Sequence, residues 1–323
     1  MGKRNFVRSY RRLESKYVIM VNILSKISTH RKAIARAIVN VSVPGTIEAI
    51  LNKQVPKGDV FEMSKTAGLL AVKKTSDVIP DCHPLPIEYT KITHEIDGLR
   101  IIVMVEVHTV YKTGVEVEAM YGASVTAMTM YDMLKPLDKG ICIEKIELME
   151  KAGGKTDFRK DNGKGYRSAI IVVSDSVSNG KKQDSAGKLI EQAMEKYQLE
   201  NIAYDIIPDE PSELIKKIKS YSILSDIIIV SGGTGFTKRD KTPETLKALL
   251  DVEIPGIMEW ARSYGQNRTP YAMFSRSFAG LINNSLLLAI PGSTRGAQET
   301  LDALFPYVLH GFKMLNPGKT NGH

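Results

Sequence analysis

The second half of the chain contains two glycine-bearing segments whose residue types could bind an anion. Ser231-Gly-Gly-Thr-Gly235 follows the apolar run Asp226–Val230, and Pro291-Gly-Ser-Thr-Arg295 follows Leu286–Ile290. A glycine loop at the carboxyl end of a buried strand exposes backbone N–H groups that can hold phosphate oxygens. One such loop would be better explained as a tight turn. Two loops at the same sheet edge predict a site for a polyphosphate.

Two aspartates lie beside these loops. Asp209 follows a predicted strand, and Asp240 follows the first glycine loop. Single aspartates in loops are more often caps or turn formers, but at strand ends this pair could share a Mg²⁺ ion that bridges phosphates. Thr242 and Pro243 have the residue types of a helix N-cap and first helical position, so the next helix should begin there.

The first half carries several polar groups that a core would not need. Asp132 and Lys135 are three residues apart and would share a helix face. Glu116 and Glu118 are two apart and would share one face of a strand. Taken singly, an exposed ion pair and a solvated strand face explain these pairs better. From spacing alone, the most that they support is an acid–base cluster with lysines that bind phosphate.

The predicted elements differ between the two halves. In the first half, helices are predicted over 26–41, 60–74 and 122–134, and strands over 99–111 and 141–148, which indicates an α+β domain. In the second half, short apolar strands alternate with helices. The strands are predicted over 169–173, 203–207, 226–230 and 286–290, and the helices over 186–197, over 212–221 and from 294. This βαβαβ order predicts an α/β domain with a mostly parallel sheet between two helical layers.

Length and composition favour a soluble protein of two domains. At about 150 residues per domain, 323 residues indicate two, and 43% hydrophobic with 25% charged residues is ordinary globular composition. No apolar run is long enough to span a bilayer. Two cysteines, Cys82 and Cys142, are too few for a disulfide framework and lack the spacing of a zinc site. A cytoplasmic protein with no membrane partner is expected.

The net charge of +8 is concentrated at the N-terminus, where the first 16 residues hold six basic groups and one acid. A nucleic-acid-binding arm and a solvated tail both fit this pattern, and the second is favoured because no basic stripe continues elsewhere. The mild charge of the remaining chain suits small anionic substrates. We therefore divide the chain into a basic tail (1–19), a first domain (20–158), a polar linker (159–165) and a second domain (166–323).

The second half resembles a known family. The segments SDSVSNGKKQDSAG, IPDEP, SGGTGFTKRDKTPET, IPGIMEWAR, AMFSR and IPGSTRGAQE are similar to those of the molybdopterin adenylyltransferases, which include MogA, MoaB and the gephyrin G domain. The resemblance covers nearly all of residues 166–323. It implies that ATP and molybdopterin give adenylylated molybdopterin and pyrophosphate, with Mg²⁺ and no tightly bound organic cofactor. It also implies a trimer.

Carried over residue by residue, this resemblance makes Asp209 and Asp240 the catalytic aspartates and candidate Mg²⁺ ligands. Lys241 departs from a usually apolar position. The substrate-binding residues that it implies lie at strand ends: Asp175, Ser176, Gly232, Gly233, Thr234, Gly235, Pro291, Gly292 and Ser293.

The first half resembles a different family. The segments KGDVFEMSKTAGLLAVKKTSDVIPDCHPLP, KTGVEVEAM, ASVTAMTMYDMLKPL and KAGGKTDF are similar to MoaC, the cyclic pyranopterin monophosphate synthase. The match runs roughly from Met20 to Phe158. It implies a ferredoxin-like subunit in a hexamer, with sites between subunits. The implied reaction converts a cyclised dihydro-GTP, supplied by a radical GTP-cyclising enzyme, into cyclic pyranopterin monophosphate and pyrophosphate.

On the MoaC resemblance, Asp132 is the catalytic aspartate, and Lys57 and Lys135 are the important lysines. Asp81 departs from a usually apolar position. The implied substrate-binding residues are Arg31, Asp81, Cys82, His83, Glu116, Val117 and Glu118.

Together the two resemblances predict a fusion enzyme for molybdenum cofactor biosynthesis that joins an early and a later step. Two alternatives stay open. The second half could bind pterin or organise an assembly without turnover, and the basic tail could contact nucleic acid. ATP-dependent adenylylation separates the first alternative from an active enzyme, and salt-dependent nucleic-acid binding that is lost without residues 1–16 would be needed for the second.

Overall fold

The computed structural model describes residues 20–154, 157 and 162–315. The described residues fold as two compact units, which divide after Gly154. The basic tail predicted for residues 1–19 lies outside the described residues, as does the first part of the predicted linker. Within the described ranges no helix is both long and apolar enough to cross a membrane.

The first unit is a four-stranded antiparallel sheet covered by helices on one face, a ferredoxin-like α+β arrangement. Its strands stand in the order β2-β3-β1-β4. In chain order the elements are β1 (Thr29–Asn40), α1 (Pro44–Leu51), α2 (Val60–Lys73), α3 (Thr75–Val78), β2 (Tyr89–Asp97), β3 (Arg100–Tyr111), α4 (Glu116–Leu134) and β4 (Cys142–Ala152).

Small residues bring the helices of this unit close to one another and to the sheet. Strand β1 presents Ala33, Ala35 and Ala37 to the core, all fully buried. Helices α2 and α4 meet at Gly68 and Gly122, where a Cβ on Gly68 would lie 3.2 Å from the Gly122 carbonyl oxygen. These small residues let α2 and α4 pack closely against each other on the sheet.

The prediction of a helix over 26–41 is wrong, because this segment forms β1. Its alanines favour a helix by propensity, but buried and partly exposed residues alternate along it from Arg31 to Ala37, which is the period of a strand. The strand face proposed for Glu116 and Glu118 is also wrong, because α4 begins at Glu116. Residues two apart on a helix point in nearly opposite directions, and only Glu118 is buried.

The second unit is an α/β fold with a six-stranded sheet of order β6-β5-β7-β10-β9-β8. Strands β6, β5, β7 and β10 run parallel, and β9 is antiparallel to β10 and β8. The strands are β5 (Arg167–Val173), β6 (Glu200–Ile207), β7 (Ile227–Ser231), β8 (Val252–Glu253), β9 (Phe278–Ile282) and β10 (Ser285–Ile290). The helices are α5 (Asp175–Ser178), α6 (Ala186–Lys196), α7 (Pro211–Leu224), α8 (Thr242–Lys247), α9 (Pro255–Gln266), α10 (Thr294–Leu304) and α11 (His310–Leu315).

Helices cover both faces of this sheet, as the βαβαβ pattern predicts. Leu214 and Ile218 of α7 pack on one face, against Ile171, Ile228 and neighbouring residues. Helices α6 and α10 contact β5 and β10 from the other side. The central strands are buried on both faces, so their carboxyl ends emerge together at one edge of the unit.

Candidate functional site

Two lysines enclose a carboxylate at the C-terminal end of α4. Lys57 donates from Nζ to Oδ2 of Asp132 at 2.6 Å and to the Asp132 carbonyl oxygen at 2.8 Å. Lys135 Nζ lies 2.7 Å from Oδ1 of the same carboxylate. Asp59 caps the N-terminus of α2, which fixes the segment that carries Lys57. The structure therefore brings together the three residues predicted to be catalytic in the first half.

The lysines set the charge of this cluster. Hydrogen bonds from Lys135 and Lys57 lower the pKa of Asp132 to about 2, so its carboxylate is ionised at any physiological pH. The same contact raises the pKa of Lys135. Desolvation acts in the opposite direction at Lys135, but the neighbouring carboxylate outweighs it. The cluster presents two ammonium groups that suit an anion.

A second polar pair lies at the other end of α4. The thiol of Cys82 donates to Oε1 of Glu118 at 3.0 Å. Glu118 is 2% exposed, and its Oε2 has no hydrogen-bond partner among the described residues. Burial raises the pKa of Glu118, and burial together with this carboxyl raises the pKa of Cys82 to about 12. The pair is a carboxyl that holds its proton readily beside an unreactive thiol.

The two polar groups cannot meet within one copy of the chain. Glu118 and Asp132 are fourteen residues apart on one helix, which corresponds to about 20 Å along its axis. Among the predicted binding residues, Glu116 Oε1 lies 3.6 Å from Lys151 Nζ, and Arg31 donates from Nε to the Tyr111 carbonyl oxygen at 3.3 Å. The other predicted binding residues are Asp81 and Val117, which are exposed, and His83, which is half-buried.

The second unit has a cleft of about 360 Å³ at the carboxyl ends of its strands. Both predicted glycine segments line it, together with Asp209 and Asp240. The two segments pack directly against each other, because a Cβ on Gly292 would lie 2.9 Å from the Gly232 Cα. Gly232 has φ +115° and presses on the end of β5, where a Cβ would lie 2.1 Å from the Val173 carbonyl oxygen. Only glycine fits there.

The two aspartates abut the glycine loop. Asp209 Oδ1 lies 2.9 Å from the position of a Cβ on Gly233, and Asp240 Oδ2 lies 2.7 Å from that of a Cβ on Gly235. Asp240 Oδ2 also accepts from the amide and the hydroxyl of Thr237, at 2.9 and 2.5 Å. Burial and the carboxylate of Asp175 raise the pKa of Asp209, and Asp240 adds to the effect. This is an excess of negative charge that a cation would relieve.

Arg239 connects two of the strand ends. Its Nε and Nη2 donate to the two carboxylate oxygens of Asp175 at 2.7 and 2.8 Å, and Asp175 Oδ1 accepts from the Asp209 amide at 3.1 Å. The loops after β5 and β6 are thereby held together. Beside them, Ser176 is exposed and lies 3.2 Å from Ser174 through their hydroxyl oxygens.

Helix α8 begins as expected at Thr242, but Lys241 occupies the N-cap position and Thr242 the first helical one. The Thr242 hydroxyl caps nothing. It is buried against Gly233 and has no hydrogen-bond partner among the described residues. Lys241, which stands at a usually apolar position of the family, has an exposed side chain beside a very small crevice near Asp209.

A second pocket of about 280 Å³ adjoins the cleft and shares Ser275, Pro291 and Ser293 with it. It lies between α9, α10 and the 3₁₀ turn Pro270–Phe274, and its lining is mostly apolar. Within the described ranges no group of three or more His, Cys, Asp or Glu side chains forms a ready metal site. A metal ion in the cleft would therefore complete its coordination with oxygens from substrate or water.

Comparison with known proteins gives a consistent result for both units. The MoaC family model matches residues 20–154, and the model described as "Probable molybdopterin binding domain" matches residues 169–310. The molybdenum cofactor biosynthesis bifunctional protein of Chlorobaculum tepidum is 37% identical over 96% of this chain and 97% of its own length. The chain belongs to this bifunctional family.

Further relatives match one or both halves of this bifunctional chain. The bifunctional protein of Synechococcus elongatus is 32% identical over 92% of this chain and 97% of its own. A cyclic pyranopterin monophosphate synthase of Listeria monocytogenes is 44% identical and covers 44% of this chain and 89% of its own. Among solved structures, the molybdopterin biosynthesis enzyme MoaB of Thermus thermophilus is 36% identical, covers 47% of this chain and 97% of its own, and has a TM-score of 0.44.

Sequence reasoning missed two parts of the sites in this bifunctional protein. Arg239 stands directly before the predicted Asp240, so the Lys238-Arg239-Asp240 run beside the glycine loop was the available signal. The adjoining pocket depends on α9 and the turn at Pro270–Phe274, where the segments IPGIMEWAR and AMFSR lie, but no site residue was assigned to either segment. Its position became visible only from the packing of helices that are distant in sequence.

Proposed function

We propose that the chain is an enzyme with two activities in molybdenum cofactor biosynthesis. The first unit converts 3′,8-cyclo-7,8-dihydro-GTP into cyclic pyranopterin monophosphate and pyrophosphate. The second unit joins the adenylyl group of ATP to molybdopterin and releases pyrophosphate. The membership of the bifunctional family supports the pathway, and the chemistry of each site supports the individual reactions.

In the first unit, the observation that carries the proposal is the Lys57–Asp132–Lys135 cluster. Two ammonium groups held 2.6 and 2.7 Å from one carboxylate are well placed to bind a triphosphate and to stabilise departing pyrophosphate. Asp132 fixes their positions. Because its pKa is raised, Lys135 keeps its proton and remains a cation that can bind a phosphate of the substrate.

Glu118 is the second acid–base candidate of this reaction. Its buried carboxyl has a raised pKa and one oxygen without a partner in the described part of the chain, so it can exchange a proton with a bound ligand. It lies about 20 Å from Asp132 along α4. A complete site therefore requires Asp132 from one copy and Glu118 from another, and we propose a homo-oligomer, hexameric in the first unit. The radical GTP-cyclising enzyme would supply its substrate.

In the second unit, the observation that carries the proposal is the contact of Asp209 and Asp240 with the glycine loop. The amides of Gly233–Gly235 and Gly292 suit the phosphates of ATP, and the adjoining apolar pocket suits a ring system such as a pterin. The carboxylates fit Mg²⁺, because Asp209 lies among like charges that raise its pKa. Mg²⁺ bound with ATP would neutralise phosphate charge during transfer. Asp209 and Asp240 would hold it.

Adenylylation is the decisive experiment for the second unit. The purified full chain would be incubated with molybdopterin, ATP and Mg²⁺, and the adenylylated product quantified against an Asp240→Ala variant. We expect product from the native chain alone. If neither protein forms product while the first unit still makes cyclic pyranopterin monophosphate, the second unit is a binding or assembly module instead of a transferase.

A further inference from the structure

The cleft of the second unit has an unusual balance of charge. Of the ionisable residues that line it in the described structure, Asp184, Asp209 and Asp240 are acidic and Lys182 is basic. A nucleotide triphosphate with one Mg²⁺ is still negative, so a lining of carboxylates alone would repel it. The charge of Lys182 is therefore significant for any polyphosphate ligand.

Two arginines near the cleft are already engaged. Arg239 forms its two-point contact with Asp175. Arg276 pairs with Glu244 and donates to the carbonyl oxygens of Gly235 and Asp240 at 2.6 and 2.7 Å. Both guanidinium groups serve to hold the loops of the cleft. Neither can turn to a ligand without releasing an anionic partner.

Lys182 differs from both arginines. Its ammonium makes no hydrogen bond or ion pair with any residue that the structure describes, and its side chain is exposed at the cleft wall. Its backbone is nevertheless held, because the amides of Lys181 and Lys182 both donate to the Ser176 carbonyl oxygen, at 2.9 and 3.0 Å. The preceding Gly180, with φ +70°, allows this turn. The backbone of Lys182 is thus held in place, while its ammonium group has no partner among the described residues.

Lys181 provides an internal comparison. Its side chain is identical and also exposed, and its backbone amide donates to the same carbonyl oxygen. It does not line the cleft. The sequence pattern alone cannot separate the two lysines, but the structure places only Lys182 of the two in the wall of the cleft, which Asp209 and Asp240 also line.

We propose that Lys182 is a phosphate-binding residue of this cleft and determines its affinity for a polyphosphate. This inference rests on the proposed adenylyl transfer. In that reaction a phosphate oxygen of molybdopterin forms a bond to the α-phosphorus of ATP, and the bond from that phosphorus to the bridging oxygen breaks. The electron pair leaves with pyrophosphate. Lys182 binds the phosphates of ATP and stabilises the charge that develops on this leaving group.

The test compares Lys182→Ala, Lys182→Arg and Lys181→Ala in the full chain. Binding of Mg²⁺-ATP, adenosine and pyrophosphate would be measured by calorimetry. A charge-assisted contact of this kind corresponds to a loss of about 10- to 100-fold in affinity. We expect that loss for ATP and pyrophosphate in Lys182→Ala, with adenosine unchanged. Lys182→Arg should retain most of the affinity, and Lys181→Ala should match the native chain.

Equal affinities for Lys182→Ala and Lys181→Ala would overturn this inference and leave the proposed transferase intact. A loss of adenosine binding in Lys182→Ala similar to its loss of ATP binding would also overturn it, because the residue would then shape the cleft instead of binding phosphate. Failure of the native chain to bind Mg²⁺-ATP at all would contradict the proposed function itself. The native control therefore distinguishes the two failures.

Discussion

Glu118 and Asp132 lie at opposite ends of the same helix, about 20 Å apart along its axis. Each is the centre of its own polar group: Glu118 bonds to Cys82, and Asp132 bonds to Lys57 and Lys135. A nucleotide-sized substrate that needs both groups must therefore lie between two copies of the chain. On the proposed function, each copy would therefore contribute two half-sites, one at each end of α4.

The first prediction concerns Asp132→Asn. The amide cannot hold two ammonium groups as an anion does, so we expect the formation of cyclic pyranopterin monophosphate to fall by about 100-fold or more. The side chain of Asp132 is 54% exposed, so thermal unfolding should change little. Glu62→Gln is a matched control, because it breaks an exposed ion pair with Lys65 of the same i,i+3 spacing on α2. Undiminished turnover in Asp132→Asn would exclude the role assigned to this cluster.

The second prediction is complementation between inactive variants. Asp132→Asn and Glu118→Gln, each inactive alone, should recover about a quarter of native activity when co-expressed, since random pairing leaves that fraction of sites with both native residues. Asp132→Asn mixed with Lys57→Ala should recover nothing, because both changes affect the same half-site. Activity in neither mixture, with mixed oligomers demonstrated by mass, would place the whole site within one copy.

The third prediction concerns the reactivity of the two cysteines. A thiol with a pKa near 12 is almost entirely protonated at pH 8.5, so Cys82 should react with iodoacetamide about 100-fold or more slowly than an ordinary thiol. The exposed Cys142 provides the comparison in the same sample. Glu118→Gln removes the neighbouring carboxyl and should speed the labelling of Cys82, as followed by peptide mass spectrometry. Equal labelling of both cysteines in the native chain would contradict the buried thiol–carboxyl pair.

Much of this arrangement could be predicted from the sequence, for identifiable reasons. The central strands β5, β7 and β10 contain continuous apolar runs, so both their positions and the edge that gathers Asp209, Gly233 and Gly292 follow from the sequence pattern. Asp132 and Lys135 share a helix face by spacing alone, and they do form a pair. Local periodicity therefore indicated most of the residues that come together.

The rest depended on contacts between distant residues. The alternating burial of β1 was obscured by its alanines, which favour a helix in isolation, and its pairing with β3 settles its conformation. Glu118 is buried beside Cys82 only because α4 starts six residues earlier than the apolar pattern indicated. Arg239 reaches Asp175 across 64 residues of sequence. No hydrophobic periodicity or local motif predicts a contact between residues so far apart in the sequence.

The fourth prediction concerns Gly232→Ala. A methyl group at this position would lie 2.1 Å from the Val173 carbonyl oxygen in a conformation of φ +115°, so we expect a loss of about 3 kcal/mol or more in the free energy of unfolding of the second unit. Gly180→Ala separates the strain of a positive φ from the contact with β5, since Gly180 also has positive φ but nothing lies within 4 Å of its Cβ position. It should cost only about 1–2 kcal/mol. Denaturant melts would measure both, and similar losses would show that contact with β5 is unimportant.

The last prediction is a shift in pH dependence on replacing Arg239 by alanine. The pKa of Asp209 is raised by burial and by Asp175, and the charge of Arg239 partly offsets this. A carboxylate with a raised pKa loses its charge as pH falls through that value, so adenylylation should decline on the acidic side at a pH above the ordinary range of an aspartate.

Removing the guanidinium takes away the positive charge that partly offsets the repulsion between the carboxylates of Asp209 and Asp175. The pKa of Asp209 must then rise further, and the acidic limb of kcat/KM should move to higher pH in Arg239→Ala. Lys217→Ala serves as a control, because Lys217 forms a comparable ion pair with Asp205 and does not line the cleft. An acidic limb that stays in place in Arg239→Ala, with activity lowered equally at every pH, would mean that Arg239 only joins the two loops. A shift of the limb would show that it also keeps Asp209 ionised.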